Sequence, residues 1–596
     1  MPQPLRLKLL LAATALTGFA YLSSCSQSGE ISETVDAETA NDSFERYKAR
    51  FLDSLWYYNP KFASSKGYHR YDSVLIIPTA ARRLGEAKVL KRRGKELATF
   101  KPTDLSVNNQ TDWHLMQNYL QAGRWQLDTL REWEWNPANY NLGASVAEIL
   151  NGRYWPLDRR LRAISLKLAR STEYYAAAEA NIQNPTKEHT ELGIKQNEGG
   201  LAVFGKALQD SIARSGLTAR EKEDFKNRLA TTRLSIEDYL RFLKTEVLPS
   251  GKFRSFRIGK ALFDRKFFYD IQSTYTADQV YAKAQQNRAR LLRDMKVRAA
   301  RLYPKYFPNQ PLPTDSLALV KQVIGRLSQE HVTPSGFVAA VKAQIPQLVQ
   351  FVNDKKLLTQ DPSKPLVVRE TPLYMRGSGA GASVSAPGPY DKAANTYYNV
   401  EPLTGQSATS AESYLREYNN YTLQILNIHE AIPGHYTQLV YANRSPSLIK
   451  AVFGNGAMVE GWAVYAERMM LESGYGSNSD EIWLMWDKWN MRVTLNTILD
   501  HEVHVNNISE QAAKAMLLRD GFQEEAEATN KWRRATLSQV QLSSYFTGYT
   551  EIYDLREELK KAEGNSFDLK TFNEKFLSFG SAPVKYIRTL MLKNPV

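Results

Sequence analysis

Cysteine is nearly absent: Cys25 is the only one in 596 residues. No disulfide can form within the chain, so the fold must rest on packing in any compartment. No thiolate is available beyond position 25, so any metal bound by the body of the protein must sit on histidine and carboxylate. Histidine is also scarce, eight in all. Strand signals are few, no internal repeat is found, and the apolar run "LLLAATALTGFAYL" is too short for a confident membrane span. The apolar and charged fractions, 43% and 23%, are those of an ordinary globular protein and exclude global disorder. The formal charge is +14, but it is spread along segments such as "AKVLKRRGKELATFK" and "RARLLRDMKVRAARLYPK". These read as solvated helix faces. No nucleic-acid partner is expected, because basic and aromatic residues do not interleave.

What the N-terminus does contain is specific. Arg6 and Lys8 precede the apolar run, which ends in "LSSC", Leu22 to Cys25, resembling a bacterial lipobox. Residues 1–24 are therefore expected to be a lipoprotein signal peptide, with Cys25 acylated and carrying the membrane attachment. Two acyl chains, at about 0.8 kcal/mol per buried methylene, would hold the protein without a spanning helix. Ser26 after the cysteine resembles the pattern sorted to the outer membrane of a Gram-negative bacterium. Residues 25–43, rich in Ser, Glu and Asp, read as a polar tether.

The rest reads mainly as α-helix, with apolar residues three and four apart. "LDRRLRAISLKLARSTEYYAAAEANI", "TAREKEDFKNRLATTRLSIEDYLRFLKTEVL" and "TADQVYAKAQQNRARLLRDM" are expected helices, the last opening on a Thr cap. "PLVVRETP", Pro365 to Pro372, is the one expected strand, followed by a Gly/Ser/Pro-rich loop running to Tyr397 and Tyr398. The chain divides into an N-terminal helical half, 44–248, and a C-terminal half, 249–596.

Four of the eight histidines fall between positions 429 and 504. "HEAIPGH" starts as a zinc-protease helix does, with a His beside a Glu that can act as base. The second His, however, comes six residues after the first rather than four. Six residues rotate a straight helix through about 240°, which would point His435 away from His429. Pro433 removes a helix hydrogen bond and Gly434 permits unusual dihedrals, so the two imidazoles can meet only if the helix breaks there. "VEGWAVYAERM" supplies a carboxylate, Glu460, and on the same face Glu467, placed to support a ligand from behind. Two His and one Glu leave a coordination position open, the catalytic arrangement for one zinc ion. His429, His435 and Glu460 are the expected ligands and Glu430 the general base. In "RVTLNTILDHEVHVNN", Asp500 lies one turn before His504 and is expected to orient it, while His501 reads as helix surface. His504 and Tyr545, from "SSYFTGYTEIYDLR", are candidate donors to an oxyanion. Arg376 of the Gly-rich loop, Arg492 and Tyr549 are candidate contacts to substrate.

At "HEAIPGH", "EGWAVYAE", "LDHEVH" and "SYFTGYTEIYDLR" the chain resembles the bacterial domain-of-unknown-function family 885, grouped with zincin-like metallopeptidases. "NPKFASSKGYHRYD" looks like that family's opening segment, so the resemblance spans nearly the whole mature chain. It implies a large multi-helical zincin-like body with a small β element, its two halves flanking a groove. Ligation by His429, His435 and Glu460, with Glu430 as base, carries over position by position. The expected function is a lipid-anchored zinc peptidase acting on a peptide substrate through a metal-activated water. The alternatives are a zinc amidohydrolase on cell-wall peptide material and a non-catalytic binding lipoprotein. The sequence leaves the oligomeric state open.

Overall fold

A computed structural model describes residues 39–593 apart from 153, 365, 373–380, 392–394 and 446. Cys25 and Arg376 lie outside the described residues. The fold is mainly helical, with one small sheet. The first helix, Ala40–Tyr58, starts inside the stretch read as tether, because the Thr39 hydroxyl accepts from the Asp42 N–H and caps it. Helix Ala219–Phe242 opens on a capping box formed by Thr218 and Glu221. Among the described residues, no helix is long and apolar enough to cross a membrane.

The helices that position the site are numbered here in chain order. They are α1 (Ala277–Tyr306), α2 (Ala408–Glu417), α3 (Asn420–Glu430), α4 (His435–Ala442), α5 (Gly456–Glu472), α6 (Asp480–His504), α7 (Glu525–Leu537) and α8 (Ser544–Glu563). Helix α1 begins at a second capping box, Thr276 with Gln279. Helix α6 is buried on nearly every face, although it carries Asp487, Lys488, Arg492 and Asp500. Each of these charges has a partner that offsets its desolvation: Arg298 for Asp487, Glu417 for Lys488, Glu527 for Arg492 and the Val540 N–H for Asp500.

Strands β1 (Val367–Glu370), β2 (Ala382–Ser385) and β3 (Tyr397–Val400) form the sheet in the order β1-β3-β2. β3 runs parallel to β1 and antiparallel to β2, so Tyr398 pairs with both Val368 and Val384. The expected strand is β1. The stretch read as one loop contains β2 and leads into β3. Ala382–Ser385 lacks large or alternating apolar residues, and its strand state comes from pairing with Tyr398 rather than from its own sequence.

Among the described residues, three hydrophobic clusters make up the core. The largest runs from Ile258 to Met591. A second is built from Tyr140 to Val247. The third joins Phe44 to Leu120 with two residues from far along the chain, Ile449 and Val452.

Candidate metal centre

The motif breaks where its spacing requires. Helix α3 ends at Glu430 and α4 starts at His435, with a cis Ile432–Pro433 bond between them. A Cβ on Gly434 would lie 1.9 Å from the His429 carbonyl oxygen, so only glycine allows this turn to close onto α3. The Trp462 indole N–H donates to the Pro433 carbonyl at 2.9 Å and clamps the turn to α5. The imidazoles of His429 and His435 face each other edge-on, ring centres 4.7 Å apart and planes at 84°.

Glu460 stands between them. One of its oxygens lies 3.7 Å from His429 Nε2 and 3.4 Å from His435 Nε2. Both distances exceed a normal hydrogen bond. Ligand atoms about 2.0–2.1 Å from a common centre at tetrahedral angles stand about 3.4 Å apart, so these separations fit the edges of a zinc ligand set. The Glu430 carboxylate also converges: ligand atoms of His429, Glu430 and His435 lie within 4.8 Å of one another.

A second layer fixes the ligands. His429 Nδ1 lies 2.6 Å from Glu467, a fully buried carboxylate that also accepts from the indoles of Trp489 at 2.9 Å and Trp486 at 3.2 Å. This is the carboxylate–histidine arrangement that orients an imidazole and raises its basicity toward a metal. On the other side, the Gln438 side-chain amide lies 2.8 Å from His435 Nδ1 and donates to the Val459 carbonyl at 2.9 Å. Gln438 Oε1 is buried without a partner, so the amide has an acceptor available for an Nδ1–H should it turn.

The charges speak for a cation. Burial opposes a charged His429, but Glu460 and Glu467 outweigh it and lift the imidazole to about 10. Glu460 is strongly desolvated, yet the two imidazoles hold its carboxyl well below the usual carboxylate range. The proton held on His429 thus offsets part of the charge of a pocket of three carboxylates, Glu430, Glu460 and Glu467, where a divalent ion would do the same. Glu430 itself is pushed up, first by burial. Its carboxylate makes no hydrogen bond among the described residues.

Other expected site residues fall elsewhere. His504 Nε2 faces the carbonyls of Ala535 and Ser538, each at 2.9 Å, at the end of α7. Burial then lowers its pKa to about 4. Asp500 does not pair with His504. It accepts from the N–H groups of Val540 and Ser543 and from the Ser543 hydroxyl, holding the entry to α8. The (i, i+4) spacing put the two on one face, but backbone groups of the α7–α8 connection captured both. His501, read as surface, is 6% exposed, stacked on Tyr281 and 3.2 Å from Asp278. Arg492 pairs with Glu527 at 2.7 Å, and Tyr549 accepts from Arg468 at 2.7 Å inside the α5–α8 interface.

Tyr545 does reach the centre electrostatically. Its hydroxyl is raised by burial and then by the Glu460 charge. Arg534 donates to the phenol oxygen at 3.0 Å, and the Gln541 side chain lies beside the same hydroxyl. The spacing of motifs gave no signal for Gly461, Trp462 and Gly548. A Cβ on Gly461 would lie 2.3 Å from the Gly548 carbonyl carbon, so α5 and α8 touch backbone to backbone beside Glu460.

These features define a class: a mainly helical protein with a buried His–His–Glu centre backed by a second carboxylate. The chain belongs to the family described as "Bacterial protein of unknown function (DUF885)", which matches residues 60–591. It is similar to a solved structure from Shewanella oneidensis described as "a putative lipoprotein of unknown function", at 50% identity and a TM-score of 0.85, covering 92% of this chain and 99% of that one. A second, described as "the putative lipoprotein from Colwellia psychrerythraea", shares 15% identity and the fold, at a TM-score of 0.76, over 93% and 99% of the two chains. No curated protein matches.

Proposed function

We propose that this protein is a zinc-dependent peptidase of zincin-like type, held at the cell envelope by an acylated Cys25. The observation that carries the reading is the Glu460 oxygen at tetrahedral-edge distance from both histidine Nε2 atoms, with Glu467 behind His429. Zinc in such a ligand set supplies Lewis acidity, polarising a carbonyl and making a neighbouring water acidic enough to yield a proton near neutral pH. Glu430, raised by burial and without a hydrogen bond among the described residues, takes that proton as the water attacks the peptide carbonyl and delivers it to the amine as the C–N bond breaks. The Tyr545 hydroxyl donates to the developing oxyanion. His504 has no part in this scheme, since its Nε2 is engaged with the α7 carbonyls. A protein that only bound peptides would need no half-buried carboxylate beside the ligands that makes no hydrogen bond among the described residues, so Glu430 favours turnover.

Metal analysis of protein purified without added zinc is expected to find one ion per chain. Glu430→Gln should keep that ion and lose roughly 10²–10⁴-fold in peptide hydrolysis. Undiminished hydrolysis in Glu430→Gln would remove the mechanism. Attachment through Cys25 accords with the lipoprotein descriptions of the two similar structures. Cys25→Ser should move the protein from the membrane to the soluble fraction on cell fractionation, and retention on the membrane would refute the anchor.

A further inference from the structure

Beside the metal centre lies a wall with more cations than it can neutralise. Helix α6 contributes Lys488 and Arg492, one turn apart, and one face of α7 contributes Lys531 and Arg534 together with Glu527. Two carboxylates answer these four cations. Glu417 takes Lys488 at 2.7 Å, and Glu527 takes Arg492 at 2.7 Å. The neighbouring acids are occupied elsewhere, Glu524 lying 3.8 Å from Arg416 and Glu525 3.0 Å from Lys514. Lys531 is 4% exposed, and its Nζ stands 3.9 Å from Glu527, beyond hydrogen-bond reach; it makes no hydrogen bond among the described residues. Arg492 Nη1 is buried and makes no hydrogen bond among the described residues, with the Glu417 carboxylate, already engaged by Lys488, standing off at 3.6 Å. Burial and the adjacent Arg492 charge push the Lys531 ammonium well below its ordinary range, the direction expected of a cation short of a counter-ion.

The wall adjoins the centre. The Trp489 ring lies 6.2 Å from the His429 ring on one side and 5.3 Å from the Arg492 guanidinium carbon on the other. From the opposite direction, Arg534 holds the Tyr545 hydroxyl, which feels the Glu460 charge. Arg492, Tyr418 and Tyr545 keep part of their surface open, as do Glu430, His435 and Glu460. One extended residue spans about 3.3–3.6 Å, so a group seated between Arg492 and Lys531 would lie within a few residues of a bond cleaved at the centre.

We propose that Arg492 and Lys531, with Arg534 at the rim, form the subsite for the free C-terminal carboxylate of the peptide, making the protein an exopeptidase that trims chains from that end. This rests on the peptidase reading above but concerns a different set of side chains. A carboxylate supplies the missing negative charge, and its oxygens accept from Arg492 Nη1 and Lys531 Nζ in charge-assisted hydrogen bonds.

The test is equilibrium binding to zinc-loaded Glu430→Gln protein, in which the peptide stays intact. Acetyl-trialanine is titrated as the acid and as the C-terminal amide, alongside two amidated peptides differing by an internal Glu or Gln. The acid should bind at least ten-fold tighter than the amide. That preference should vanish in Lys531→Met, shrink in Arg534→Gln, whose side chain is exposed, and persist in the surface variant Lys560→Met. Equal binding of acid and amide would overturn the subsite, and so would a preference that survives in Lys531→Met. Discrimination of internal Glu over Gln with none between acid and amide would overturn the terminal assignment in favour of an acidic side chain. The two readings fail separately. Acid preference without hydrolysis by the wild-type protein sinks only the peptidase reading, whereas equal hydrolysis of acid and amide sinks only the subsite.

Discussion

His429 is gripped from both ends, Nδ1 by Glu467 at 2.6 Å and Nε2 by Glu460 at 3.7 Å. With the imidazole lifted to about 10, its proton is in place throughout the neutral range in the metal-free protein. Zinc requires the neutral ring, so binding must expel that proton. Because the folded pKa is raised, the proton is held below about 10 and lost as pH rises, and apparent zinc affinity should climb with pH. Displacing one proton gives about ten-fold per pH unit. Glu467→Gln removes one of the three carboxylates that retain it. The pH slope should then flatten above neutrality, while affinity falls roughly 10–100-fold through loss of the oriented, more basic imidazole. Chelator competition at pH 6, 7 and 8 reads both effects. An unchanged slope in Glu467→Gln would show that the His429 proton is not what zinc displaces.

Helix α5 presents three consecutive residues with three different duties. Glu460 faces the histidines, Gly461 meets Gly548 of α8, and Trp462 holds the Pro433 carbonyl. A Cβ on Gly461 would press on backbone rather than on a flexible side chain, so Gly461→Ala must push the two helices apart. Overpacking of this kind costs about 1–3 kcal/mol. Thermal and denaturant unfolding should report the loss, and zinc retention should fall with it because Glu460 moves. Gly456→Ala, at the start of the same helix with nothing within 4 Å, should leave both unchanged. Equal behaviour of the two variants would refute the crossing as the element that fixes Glu460. The existence of these helices was legible in sequence, since caps such as Thr276 and the apolar spacing are local signals. The broken turn was legible as well, because six residues on a straight helix cannot bring two imidazoles together. Gly461, Gly548 and Trp462 were not, because each acts on a segment remote in sequence. His504 and Asp500 misled for the opposite reason: their local spacing was right for a pair, but carbonyls and N–H groups from a distant connection offered both a better partner.

At the scale of the molecule, the N-terminal cluster is bolted to the segment that joins the two halves of the metal centre. Asp112, fully buried on helix Val107–Trp125, accepts from Lys48 at 2.9 Å on the first helix and from Lys450 at 2.8 Å and Ser447 at 2.7 Å beyond α4. Lys450 sits in the short helix Leu448–Val452, between His435 and Glu460, whose Ile449 and Val452 insert into the N-terminal cluster. The N-terminal packing therefore bears on the distance between His435 and Glu460, two of the proposed zinc ligands, without contributing a ligand itself. Asp112→Ala would leave the buried Lys450 ammonium without its carboxylate, while Lys48 keeps Glu45 at 2.7 Å, a loss of about 3–5 kcal/mol. Hydrogen exchange should accelerate in residues 40–58, 107–125 and 448–452 while α6, enclosed in the larger cluster, keeps its protection. Zinc should also bind more weakly, although Asp112 lies outside the centre. Exchange rising uniformly, α6 included, would mean that the three clusters unfold as one unit and that the Asp112 junction is not a separable link to the metal centre.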